Sequence, residues 1–307
     1  MGIHLKQDTN IIPDRPKPVH KRLGSSFWLS IIWIIFAVLC AITADLLPLQ
    51  EYDAMDWMNQ AAPPGTTGSI QTSSSVESAP NSFVHFFGTD TMGRDILSRL
   101  IYGARISLLV GLITPVIGLV IGGTLGMLAG FYRGHLDGFI MAIMDTILAF
   151  PGLVLLLAIT FYLGQNLTNI ILALGFLTIP SFSRVARANT LAISQRDFIK
   201  ASQMIGQNDA YILFRDILPN IIPQLAVYAL FVVSFMIIAE GTLSFLGLGV
   251  PAPVPSWGGM IAEGKEVLGE ASYISFFPAL AMFLTVLSFN LVGDALRGII
   301  DPKDGQL

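Results

Sequence analysis

Six apolar runs dominate this chain, at about 27–47, 106–131, 139–163, 167–183, 221–247 and 276–296. A helix crosses the hydrocarbon of a bilayer with about 20 apolar residues, so runs of this length point to spanning helices. Composition agrees, because 53% of residues are hydrophobic and only 12% are charged, and the mean hydropathy of +0.68 is too high for a soluble domain. The expectation is an all-α integral membrane protein with six transmembrane helices. The run at 167–183 is the shortest and ends near Pro180, and Phe150-Pro151-Gly152 predicts a kink after Asp145 in the third run.

Cytoplasmic flanks of membrane spans are enriched in Lys and Arg. With the N-terminus inside, Lys6, Arg15, Lys17, Lys21, Arg22, Arg133, Arg184, Arg187, Arg196, Lys200, Arg215, Arg297 and Lys303 fall on the inner side. Only Arg94, Arg99, Arg105 and Lys265 of the 17 basic residues fall outside, which places both termini in the cytoplasm. The expected organisation is a cytoplasmic tail at 1–26, a first anchor at 27–47, an extracytoplasmic segment at 48–104, a permease-like membrane core at 105–297 and a second tail at 298–307. The first run lacks a small-x-small cleavage site and is expected to remain as an anchor. Residues 63–80, rich in Pro, Gly, Ser and Thr, are expected to be loosely ordered. The single cysteine, Cys40, lies inside the first run, forms no intrachain disulfide and reads as a small buried residue.

Between the fourth and fifth runs lies a polar island, residues 193–224, carrying Arg196, Asp197, Lys200, Asp209, Arg215 and Asp216. A charge at the bilayer centre costs a few kcal/mol or more, so this stretch belongs in water. Phe198, Ala201 and Ile205, then Tyr211, Ile212, Phe214 and Ile217, nevertheless recur at helical spacing on either side of Gly206. An apolar stripe on a wet helix calls for a partner surface. The stretch reads as helix, elbow and helix, with Gly206 as a left-handed cap, Asn208 or Asp209 capping the second helix, and Pro219 closing it.

Three further features stand out within the apolar runs. Gly118, Gly122, Gly126 and Gly130 form a flat seam at four-residue spacing, suited to close helix packing. Asp145 lies about two turns from the cytoplasmic end of its run, and Glu240 lies deep inside the fifth. Acids within spans are candidate functional residues. Ahead of the second run, Thr89 or Asp90 is expected to cap a short interfacial helix with Ile96, Leu97, Leu100 and Ile101 on one face and Arg94, Asp95 and Arg99 on the other.

Three of these stretches carry a family resemblance. Lys200-Ala201-Ser202, Gly206 and Ile217-Leu218-Pro219, within residues 194–220, resemble the EAA loop of ABC importer permeases. The family usually has Glu at the position of Lys200 and often Ala at that of Ser202, so a salt bridge from that Glu is not carried over. Residues 87–108, with Gly88, Thr89, Asp90, Gly93, Arg94, Asp95, Ser98 and Arg99, closely resemble the signature GTDxxGRDxxSRxxxGxRxSL of the second permease subunit of dipeptide, oligopeptide and nickel importers. Glu240 through Gly249 and Pro255-Ser256-Trp257-Gly258 resemble the ExxLSFLGLG and PSWG blocks of the same branch. The resemblance spans about residues 87–302. It implies a type I ABC importer permease fold and passage of peptides, nickel chelates or another small solute by alternating access.

The resemblance also implies partners: a homologous but different permease subunit as a heterodimer, two cytoplasmic ATPase subunits that consume ATP with Mg, and an extracytoplasmic peptide-binding protein. No cofactor on this chain is implied. Lys200, Ala201, Ser202, Gly206, Asp209, Leu218 and Pro219 become candidate ATPase-coupling residues, and the loop around Trp257 the candidate face for the delivery protein. Glu240 either lines the path and meets a peptide amine or is a paired structural acid, and Asp145 is a second candidate for the path.

The chain contains no Gly-x-x-x-x-Gly-Lys-Ser/Thr, since Gly264-Lys265-Glu266 lacks the upstream glycine run and the hydroxyl. It therefore has no phosphate cradle of that type. A secondary transporter is the main alternative class, but no internal repeat is visible. An intramembrane enzyme is a weaker one, because His-Glu-x-x-His and Gly-x-Ser-x-Gly are absent and the four histidines are scattered. No basic patch with interleaved aromatics suggests nucleic acid.

Overall fold

A computed structural model of the chain describes residues 24–69 and 82–300. The two expected tails, for the most part, and the Ser-rich stretch at 70–81 lie outside the described residues. Helix α1, Ser25–Thr43, continues through one tight turn to Leu46. Two short strands, β1 (Thr66–Ser69) and β2 (Ser82–His85), pair antiparallel with Thr66 opposite His85. Thus residues 66–69, expected to be loosely ordered, form a strand held by β2 rather than by their own composition.

Helix α2 (Ile96–Ile117) passes through a π-helical stretch at Gly118–Gly122 into α3 (Gly123–Tyr132), giving one rod of 37 residues. After it come α4 (Gly134–Leu148), α5 (Gly152–Leu163), α6 (Leu167–Ser194) and the short α7 (Asp197–Met204). A second rod of 37 residues, Asp209–Phe245, contains α8 (Asp209–Tyr211), a π-helical stretch at Ile212–Ile217, and α9 (Leu218–Phe245). Helices α10 (Trp257–Gly264) and α11 (Tyr273–Ile300) complete the described fold.

Among the described residues, five helices are long and apolar enough to cross a membrane, and a sixth crossing is made if α4 and α5, bent by 81° at Phe150-Pro151, count as one. Contacts at the two ends of the bent pair support a crossing. Near the start of α4, Asp137 accepts two hydrogen bonds from Arg187 in the last turns of α6. Just beyond α5, the Gln165 amide donates to Gly247 O, past the end of α9. The ends of α6 and α9 are separated by the length of α9, about 40 Å for 28 residues at 1.5 Å each. The pair therefore runs from one end of the bundle to the other, which puts residues 24 and 300 at the same end.

Two expectations about helix ends are corrected. The stretch carrying Ile96 to Ile101 is not a separate interfacial helix but the first turns of α2. Pro219 does not close the second helix of the polar island; the rod Asp209–Phe245 runs through it, with the π-helical stretch Ile212–Ile217 ending just before it.

The glycine seam meets α6. A Cβ added at Gly118, Gly122, Gly126 or Gly130 would run into Thr178 Oγ1, Ile179 O, Ser183 O or Arg187 O, respectively. Without large side chains on that stripe, the two backbones approach closely enough for dispersion contacts and small polar contacts to hold them. Leu174, Phe182 and Ala186 of α6 then join Ile199, Ile212, Ile217, Ile221 and Leu225 in the main core, so the helices flanking the polar island share one packing unit. Replacing Gly126 with Ala should destabilise the protein by about 2–3 kcal/mol, because a backbone carbonyl cannot move aside. Gly138→Ala in α4, where a Cβ meets nothing within 4 Å, should be neutral or stabilising by up to about 1 kcal/mol. Thermal unfolding in detergent micelles measures both.

Candidate functional site

The polar island folds into a compact elbow at the end of the bundle where α6 gives way to α9. Gly206 takes φ +83, a left-handed cap that ends α7, and Asn208 Oδ1 accepts from Tyr211 N to start α8. Its apolar stripe divides in two. Ile199, Ile212 and Ile217 are fully buried and anchor the elbow to the core. Phe198, Met204, Ile205 and Phe214 face outward, with Met204 and Ile205 88% and 78% exposed. Such exposure is unusual beside a tightly packed core, and the patch is suited to a partner.

The candidate coupling residues all lie in this elbow or at its exit. Lys200 is exposed and 3.6 Å from Asp197. Ala201 is exposed, and Ser202 Oγ donates to Asp216 Oδ2 at 2.9 Å, tying α7 to the far side of the turn. Asp209 opens α8. Leu218 and Pro219 begin α9. Ile199 and Met204 were not among the residues singled out from the pattern, although both lie within its helical period.

At the opposite end of the bundle, the signature residues build a buried polar cluster instead of a wet helix face. Gly88 and Gly93 take φ +81 and +77, and a Cβ at either would strike the backbone of residue 62 or 56. Thr89 Oγ1 accepts from Ala62 N at 2.8 Å and donates to Asn59 O. Asp90 Oδ1 accepts from the amides of Met92 and Arg94, while its Oδ2 lies 2.6 Å from Arg94 Nε and 3.3 Å from Arg99 Nε. Asp95, rather than Thr89 or Asp90, caps α2 by accepting from Ser98 N at 2.7 Å. Its other oxygen meets Nδ1 of the buried His85 at 2.9 Å. Ser98 Oγ donates to Gln50 O.

Arg94, Asp95 and Arg99 were expected on the polar face of an interfacial helix, yet each is 2% exposed or less. The charges can be buried because Glu263 of α10 closes on both guanidinium groups, at 2.8 Å from Arg94 Nη2 and 2.9 Å from Arg99 Nη2. No local pattern marks Glu263, which is more than 160 positions away in the chain.

Glu240 is 1% exposed. Its Oε1 accepts from Ser244 Oγ at 2.8 Å, and Ser107 Oγ of α2 lies 3.5 Å from Oε2. Ser107 in turn accepts from Trp257 N at 3.1 Å. Trp257 does not face outward: it is 2% exposed and donates through Nε1 to Leu100 O. Of the block around it, the exposed parts are Phe245, Leu246 and neighbouring loop residues.

Asp145 is paired with Arg184 at 2.7 Å, and both side chains are more than half exposed. The structure therefore does not bring Asp145 and Glu240 together. A cavity of about 390 Å³ opens between α5, α6 and α9, lined by Leu156, Thr178, Ser181, Tyr228 and Phe231 among others, and neither acid reaches it.

Among the described residues, a bundle with five or six crossings, an outward-facing apolar elbow at one end and a largely buried polar cluster at the other defines a multi-pass helical membrane protein. Residues 122–304 match the family described as binding-protein-dependent transport system inner membrane component. The glutathione transport system permease protein GsiD of Pectobacterium atrosepticum is 44% identical over 222 residues, covering 72% of this chain and 74% of that protein. A permease protein of Brucella suis, named for a peptide transport system, is 36% identical over 278 residues, covering 91% and 88%. The fold is similar to that in inward-facing structures of the MetNI methionine ABC transporter, with a TM-score of 0.57 at 19% identity over 67% of this chain and 98% of that one.

The chain belongs to the binding-protein-dependent transport system inner membrane component family. It is a permease subunit of an ABC importer in the inner membrane.

Truncating Glu240 tests whether its role is internal. Glu240→Ala leaves the hydroxyls of Ser107 and Ser244 without their acceptor and should lower stability by about 1–3 kcal/mol. Glu240→Gln keeps an acceptor oxygen and should cost less. Thermal unfolding of the purified variants in micelles distinguishes the two.

Proposed function

We propose that this chain forms one half of a translocation path for di- and oligopeptides, paired with a homologous but different permease subunit. Two cytoplasmic ATPase subunits bind at the elbow and supply the ATP hydrolysis, with Mg, that this chain lacks. An extracytoplasmic peptide-binding protein delivers the cargo at the opposite face. The observation that carries this reading is the elbow itself. Its apolar outer patch, Phe198, Met204, Ile205 and Phe214, is exposed beside a buried anchor, and its second helix is continuous with a 37-residue rod to the far end of the bundle.

A helix gripped at one end moves as a lever, so closure of the ATPases on the patch tilts α9 and rocks the spans in alternating access. The cavity between α5, α6 and α9 supports the half-path, because completing its open side calls for a second subunit. The peptide cargo is favoured by the names of the relatives, one from a glutathione system and one from a peptide system.

Single cysteines placed at Ala201 or Gly206 should cross-link to an ATPase subunit in native membranes. Capture of no ATPase from either position would remove the coupling role. Gly206→Leu forces a side chain into a left-handed conformation at a cost of about 1–3 kcal/mol, although nothing lies within 4 Å of its Cβ. That variant should insert normally yet uncouple ATP hydrolysis from uptake, measured together in proteoliposomes.

A further inference from the structure

The outer polar cluster joins parts of the chain that no sequence motif connects. Arg94 and Arg99 are each 2% accessible at the side chain, whereas Glu263, which pairs with both, is 33% accessible. Its exposed portion helps line an open outer cavity of about 530 Å³, whose rim includes Leu246, Gly247, residues 249–252 and Gln165. Helix α10 thus presents one acid to two faces: inward to the buried arginines, outward to the loop that follows α9.

The other end of α10 is already fixed. Trp257 is hydrogen-bonded to α2 through Leu100 O and Ser107 Oγ, and Gly258 lies against the backbone of Gly241 in α9. Further along its eight residues, Met260 packs with Ile96 and Ile274, and Ile261 O accepts from Ser275 Oγ of α11. Glu263, in its last turn, adds the charged attachment to these apolar and small polar ones.

We propose that Glu263 is a positioning residue for transport, whose closure on Arg94 and Arg99 holds α10 and the loop at 246–256 in the orientation that receives the delivery protein. This rests on the outer face being the delivery side. Two buried guanidinium groups facing one acid from α10 and one, Asp90, from their own segment make the link sensitive to loss of a single charge, because breaking such a pair leaves a buried charge uncompensated. The signature segment then contributes to import without touching cargo.

The test uses Glu263→Gln and Glu263→Asp in the full chain. Hydrogen exchange of the chain in lipid nanodiscs should accelerate at residues 257–264 in Glu263→Gln, with residues 197–211 unchanged. In the reconstituted importer, the ratio of delivery-protein-stimulated to basal ATP hydrolysis should fall about tenfold, the scale of a residue that carries coupling between sites. Assembly and basal hydrolysis should persist, and Glu263→Asp should recover part of the ratio. Unchanged exchange at 257–264 overturns the proposal whether or not ATPases bind. Equal loss of basal and stimulated hydrolysis, or failure of both variants to assemble, also overturns it by assigning Glu263 a general structural role. A wild-type complex without any stimulation would instead defeat the proposed function, leaving the exchange result to decide the clamp.

Discussion

Within the hydrocarbon there is no water to satisfy a polar group, so each one has to find its partner inside the protein. Many polar groups in the spans of this chain meet that constraint, although Ser183 Oγ and Thr190 Oγ1 of α6 are buried without a hydrogen-bond partner. Hydroxyls of Thr114, Thr160, Thr242 and Thr285 return to the carbonyl four residues earlier in their own helices. Between helices, Trp33 Nε1 donates to Thr285 Oγ1, linking α1 to α11. Glu240, the acid buried deepest among the spans, is enclosed by serine hydroxyls. Because apolar side chains gain little by leaving lipid for one another, cohesion falls to close backbone approach, and the glycine seam against α6 provides it.

The two ends of the bundle solve different problems with similar residue types. At the elbow end the charges stay wet and the apolar side chains are split, one set anchoring the elbow and the other left outward. At the opposite end Asp90, Arg94 and Arg99 are withdrawn from water and paired with the part-exposed Glu263, and His85 lies buried between Asp95 and Asp56. A wet, outward apolar patch is suited to exchange of a partner. A largely buried charged knot is suited to holding geometry, since its members lose compensation when separated.

Much of the fold was legible because periodicity and length are local properties. The apolar runs located the spans, Gly206 and Asn208 announced their caps, and four glycines at equal spacing announced a close helix contact. Helix ends were less legible. Ile96 starts a spanning helix and Pro219 lies inside one, because tertiary packing carries the backbone past residues that would stop an isolated helix. The outer signature was recognisable as a pattern, yet its chemistry was misjudged: charges that look destined for water were buried by an acid from a distant helix. Trp257 went the same way, since an aromatic in a polar, Pro-rich block gives no hint that α2 offers it two hydrogen-bond partners.

The sequence by itself determined that this chain lives in a membrane, how many times it can cross, which side its basic flanks favour and where its charged elbow emerges. All of these follow from residue-by-residue transfer between water and hydrocarbon, which needs no knowledge of neighbours. Only the tertiary structure decided that α6 is the glycine seam's partner, that Glu240 is enclosed apart from the cavity, and that Glu263 completes the signature. Those outcomes depend on groups far apart in the chain meeting at hydrogen-bond distance, and pairing at that range is a property of the packed bundle.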